Sequence, residues 1–89
     1  MIEQLENKIE WEELKDRHIQ GRSSLGRIVI RMDRNESVTG VYTKFDSYWE
    51  KWVPDPGETV TESTGKGLAQ TLLNTRLAAD RLAGIAKTL

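Results

Sequence analysis

The sequence predicts an α+β fold: an N-terminal helix, an antiparallel meander of three or four strands, and a long C-terminal helix packed on the sheet. Three observations carry this expectation. Residues 27–33 alternate strictly, with Ile28, Ile30 and Met32 on one side and Arg27, Val29, Arg31 and Asp33 on the other, the mark of a half-buried strand. A second β-rich stretch holding Val41, Tyr42, Thr43 and Phe45 follows the turn residues Asn35-Glu36-Ser37, which makes a hairpin. The last third of the chain has no proline and repeats leucine and alanine at helical spacing.

The elements follow in order. Residues 2–18 are rich in Glu, Lys, Leu and Gln and have neither Gly nor Pro before Gly21, so they read as a helix. Its apolar residues fall in two stripes, Ile2-Leu5-Ile9 and Trp11-Leu14-His18, which lie on different sides. Residues 21–25 read as a loop, and residues 26–34 and 38–46 as the hairpin strands. Residues 48–53 fit a third strand by aromatic content, ahead of the turn Asp55-Pro56-Gly57, with a helical turn over 47–53 that would cluster Phe45, Tyr48, Trp49 and Trp52 as the alternative. Residues 58–62 suit a short charged edge strand. The final helix is expected over about 65–88, capped by Ser63 or Thr64. Its seam Leu68, Leu72, Thr75, Ala79, Leu82, Ala86, Leu89 would face the sheet, leaving Leu73 and Leu77 on the other side.

At 89 residues the chain is expected to form a single domain, 1–89. Leu, Ile, Val and Phe supply 21 of these residues, above the ~20% below which disorder is the default. The net charge of −1 hides blocks: −4 over residues 1–14, +4 over 15–34, −4 over 35–62 and +3 over 63–89. Such alternation places elements of opposite sign beside one another, within the fold or across an interface. The start Met1-Ile2-Glu3 leads into acidic residues and not into a signal peptide, and no apolar run is long enough for a membrane span, so the expectation is a cytoplasmic protein with no membrane partner.

Chemistry is sparse. There is no cysteine, hence no thiolate nucleophile, thiolate metal site or disulfide. His18 is the one imidazole, and Ser23 and Ser24 lack the context of an activated nucleophile. Gly65-Lys66 precedes a helix, but Val60 stands where a phosphate loop needs Gly and Gly67 where it needs Ser or Thr. Glu3, Glu6, Glu10 and Glu13 would line one helical face, an ordinary solvated surface. No catalytic residue, metal, cofactor or small-molecule substrate is therefore expected.

Two binding readings remain. The first is a small non-enzymatic protein-interaction module of adaptor, inhibitor or regulator type, homo-oligomeric or with a protein partner, using Ile2, Leu5, Ile9, Leu73 and Leu77. The alternative is a nucleic-acid-binding protein using Arg27, Arg31, Arg34 and Lys44 around the hairpin. In its Arg-lined sheet backed by a helix, the stretch of residues 25–84 resembles the sheet-type DNA readers of the integrase arm-binding kind. That resemblance is architectural and implies docking in the major groove, with Arg reading guanine and holding phosphate. The isoelectric point near 5.8 stands against a uniformly basic surface. An enzyme is a distant third. The tryptophans Trp11, Trp49 and Trp52 serve either a core or an interface.

Overall fold

The computed structural model describes residues 7–88, with side chains described as far as residue 85. Five strands and one helix succeed one another: β1 (Glu10–Glu13), β2 (His18–Arg22), β3 (Arg27–Met32), β4 (Val38–Lys44), β5 (Glu50–Trp52) and α1 (Glu62–Thr88). The strands form one antiparallel meander in the order β1-β2-β3-β4-β5.

The expected N-terminal helix over 2–18 is not seen. Residues 10–13 and 18–22 pair instead as a hairpin, Trp11 opposite Gly21 and Glu13 opposite Ile19. The reason lies in the turn. Asp16 and Arg17 both adopt the left-handed conformation, at φ 61° each, and the Leu14 N–H donates to the His18 carbonyl at 2.8 Å. Hairpin turns of this hand are usually marked by Gly or Asn. Here Asp16, which tolerates this conformation, is followed by Arg17 where Gly is usual, so the reversal carries only a weak mark within a helix-rich composition. Ile2 and Leu5 lie outside the described residues.

The centre of the sheet follows the alternation of the sequence. Ile28 and Ile30 of β3 pair with Thr43 and Val41 of β4, and Ile19 of β2 lies opposite Ile30. All five are buried on the face that α1 covers. Burial of such branched apolar side chains, each contributing roughly 1.5–3 kcal/mol, supplies the driving force. The inward pattern of β4 is broken by a bulge: Arg31 pairs with Gly40 but Met32 with Val38, leaving Thr39 unpaired. The Thr39 hydroxyl donates to the Arg31 carbonyl. Val38 and Val41, three apart, therefore face the same core.

The helix meets the sheet through Gly65, Ala69, Leu73 and Leu77, spaced four apart, all buried. At Gly65 the backbone comes so close that a Cβ would stand 2.9 Å from a methyl of Val38. This reverses the expected faces: Leu73 and Leu77 are core, Leu68 and Leu72 flank them half-buried, and Thr75, Ala79 and Leu82 are exposed. Small residues at the start of the stripe and large ones at its end set the approach of the helix. A heptad count gives spacing but does not choose between two apolar stripes on one helix.

Residues 58–62 do not form the expected strand. One isolated bridge joins Ser37 to Thr61, the Val38 N–H donates to the Val60 carbonyl at 2.7 Å, and Val60 is buried. The helix then starts at Glu62, earlier than expected. Its cap is Thr61, whose Oγ1 accepts from the Thr64 N–H at 3.2 Å, in place of Ser63 or Thr64. Residues 48–53 do contain a strand, β5, which pairs Trp52 with Val41 and Lys51 with Tyr42.

Candidate functional site

Cross-strand partners share a face, so the register that buries the isoleucines also defines what stands on the opposite side. Three rows result. One runs Glu12, Gln20, Val29, Tyr42, Lys51; the next runs Glu10, Arg22, Arg27, Lys44; the third runs His18, Arg31, Gly40. The helix α1 lies on the other side of the sheet, packed on β3 and β4.

Charge on the face is graded. At the β1 edge Glu12 is 4.0 Å from Arg22, and Lys8 is 3.9 Å from Glu10, so acids and bases offset one another there. Across β3, β4 and β5 stand Arg27, Arg31, Lys44 and Lys51. Among the described residues none of these four has a carboxylate within ion-pair distance. They gather around two rings instead. Arg27 and Lys44 lie 5.8 and 5.9 Å from the centre of the Trp49 ring; Arg31 and Lys51 lie 6.0 and 5.7 Å from that of Tyr42. Cations held over ring faces gain roughly 0.5–1 kcal/mol at exposed sites and keep their charge available to an outside anion.

Two local devices place the rings. Gly40 precedes Tyr42 by two residues on the same side of β4, and a Cβ there would sit 3.0–3.2 Å from the ring atoms. Absence of that Cβ lets the phenol lie along the strand. Trp49 sits in the loop between β4 and β5, and this loop is tied to the helix at Asp46. The Arg76 Nη1 donates to Asp46 Oδ2 at 2.8 Å, Nη2 donates to Oδ1, and Nε donates to Asp80 Oδ1 at 3.1 Å. The guanidinium holds the Asp46 carboxyl below the ordinary carboxylate range, with Tyr48 adding to the effect. Trp49 remains 43% exposed.

Between the rings the face is hollowed. A shallow concavity of about 310 Å³ is lined by His18, Val29, Arg31, Tyr42 and Trp49. Apolar, aromatic and basic side chains line it, and no carboxylate does. Such a lining is complementary in shape and charge to planar rings and anions.

Of the residues expected to bind nucleic acid, Arg27, Arg31 and Lys44 come together here. Arg34 does not; it lies in the β3–β4 turn and lines a different hollow with Glu13, Arg17, Asp33, Glu36 and Glu62. Of those expected at a protein interface, Ile9, Leu73 and Leu77 are spent in the core, at 8%, 0% and 9% exposure. That expectation is corrected for these three: their apolar surface is already covered within the chain. His18, Gly40, Trp49 and Lys51 were missed. His18 sits in a stretch read as helix; Lys51 reaches the site through the β4–β5 register and Trp49 through the loop before β5.

The start of α1 offers no anion site. Glu62 stands in its first turn, Lys66 pairs with Glu62 at 3.1 Å and lies 5.5 Å from the Trp11 ring centre, and Gly65 is packed on Val38. Among the described residues no cluster of three or more His, Asp or Glu side chains is arranged to hold a metal. Nor is any described helix long and apolar enough to cross a membrane.

Fold and site together define a class: a two-layer α+β domain with one sheet face packed on a single helix and the other open, cationic and aromatic. No family model matches the chain, and neither a curated protein nor a solved structure is significantly similar to it.

Proposed function

We propose that the protein is a non-enzymatic binding module that presents the open face of its sheet to nucleic acid. The observation that carries this reading is the grouping of Arg27, Arg31, Lys44 and Lys51 around Tyr42 and Trp49, unpaired by described carboxylates. The overall acidity of the chain argues less than its distribution. Acids occupy the β1 edge, the loops and the helix, with Glu50 of β5 paired with the core residue Thr43, while Arg27, Arg31, Lys44 and Lys51 gather on the open face, and phosphate responds to local potential. Arginine and lysine side chains neutralise phosphates, and exposed aromatic rings engage base faces.

The test is a mobility-shift or anisotropy titration at low salt with the protein and its Arg27→Gln/Arg31→Gln variant. Binding that the variant weakens at least tenfold supports the reading. Absence of binding to any nucleic acid at low salt removes it.

A second reading, self-association, is favoured by the far end of the helix. The buried stripe ends at Leu77, and beyond it Leu82 and Ile85 are 67% and 56% exposed. Two copies pairing at this end would cover them. Sedimentation of the protein and of Leu82→Glu tests it; a monomeric mass for the unaltered chain rejects it.

A further inference from the structure

We infer that the open face selects single-stranded nucleic acid over duplex, seating an unpaired base in the hollow between Tyr42 and Trp49. This inference rests on the nucleic-acid reading above and sharpens it. Width gives the first reason. Strands stand ~4.8 Å apart, so a five-stranded face measures roughly 20 Å across, against a major groove of about 12 Å. A two-stranded ribbon enters that groove, whereas this five-stranded face is wider than it and carries Glu10 and Glu12, on edge strand β1, at one side.

The second reason is the hollow itself. Val29, Tyr42 and Trp49 give it an apolar and aromatic lining complementary to a planar heterocycle, with Arg31 and His18 beside them. A base inside a duplex has both faces stacked and cannot reach such a lining, whereas an unpaired base can. The third reason is the placing of the cations. Arg31 and Lys51 flank the Tyr42 ring, and Arg27 and Lys44 flank that of Trp49. A strand whose base occupies the hollow thus finds a cation on either side for the phosphates before and after it. His18, beside Arg31, turns its Nδ1 to the Lys15 carbonyl at 3.3 Å, which leaves Nε2 to accept from a base edge.

The experiment uses fluorescently labelled oligonucleotides of about ten nucleotides, a length within the ordinary single-strand site size. Four are titrated into the full chain: single-stranded DNA, single-stranded RNA of the same sequence, the DNA duplex, and an abasic DNA strand with the same number of phosphates. The expected result is that one or both base-bearing single strands bind at least tenfold tighter than the duplex and the abasic strand. The tighter of the DNA and RNA arms identifies the sugar. Trp49→Ala, at an exposed loop position, is expected to lower the affinity for the base-bearing strand by about tenfold and to leave the abasic strand unchanged. Equal binding of base-bearing and abasic strands, or tighter binding of the duplex, overturns this inference while leaving the nucleic-acid reading in place. No binding by any of the four arms at low salt overturns both.

Discussion

Asp46, at the beginning of the loop between β4 and β5, is held by the Arg76 guanidinium through two parallel hydrogen bonds, one of them 2.8 Å long. The pair joins the helix to the loop that carries Trp49, three residues further on, and so links the covered side of the sheet to the open one. Bidentate geometry makes the contact directional as well as attractive. Arg76 is fixed in turn by Asp80, one helical turn along.

The clamp carries a pH signature. With the folded-state pKa of Asp46 lowered by Arg76, the stability it contributes is full above the ordinary carboxylate value of 3.8 and is lost as the pH falls through the lowered folded value. Asp46→Asn is therefore expected to lower the thermal midpoint at neutral pH, and the gap between variant and parent should close below about pH 4. Thermal unfolding across that range checks it. A gap that does not change with pH would show that the carboxylate charge is unimportant.

Arg17→Gly distinguishes a hairpin from a helix at the N-terminal segment by the sign of its effect. A left-handed arginine costs roughly 1–2 kcal/mol, most of which glycine relieves, less its own entropy loss. The substitution is expected to raise stability by up to about 1 kcal/mol in urea unfolding. Within a helix the same change lowers stability by about 1 kcal/mol.

Leu73 and Leu82 lie on the same helix and should respond oppositely to truncation. Leu73 is fully buried, so Leu73→Ala is expected to cost about 2–5 kcal/mol. Leu82 is 67% exposed, so Leu82→Ala is expected to stay within about 0.5 kcal/mol. Equal losses at the two sites, by chemical denaturation, would contradict the assigned faces.

Much of the fold was legible in the sequence because strand alternation is a local signal. Arg27 to Met32 shows its two faces without any partner, and with them the cationic stripe that includes Arg27 and Arg31. The hairpin at 10–22 was not legible. Its turn uses Asp16, a weak turn mark, and Arg17, which is none, and Glu and Leu around them favour a helix when nothing is known of the pairing. The helix faces were misassigned because Gly65 and Ala69 are not counted as apolar stripe positions, although their smallness is what brings the helix onto the sheet. At the site, Lys51 depends on register across β4 and β5 and Trp49 on the path of the loop between them, non-local properties that composition does not encode.

Gly40 provides a probe of ring placement that leaves every charge intact. A methyl at this position would press on the Tyr42 ring at 3.0–3.2 Å, so Gly40→Ala is expected to tilt the ring out of its place along β4. Aromatic proton shifts of Tyr42 should move while the far-ultraviolet circular dichroism stays unchanged. Binding of a base-bearing strand should weaken severalfold, with little effect on an abasic one. Unmoved Tyr42 resonances would remove the role assigned to Gly40.

The salt dependence of binding to a short single-stranded oligonucleotide tests the central claim most directly. If Arg27, Arg31, Lys44 and Lys51 each meet a phosphate, the logarithm of affinity should fall against the logarithm of salt concentration with a slope of roughly −3. The slope should become shallower by roughly 1–1.5 in Arg27→Gln/Arg31→Gln. A slope near zero, or one that the double substitution leaves unaltered, would contradict the assignment of this face to nucleic acid.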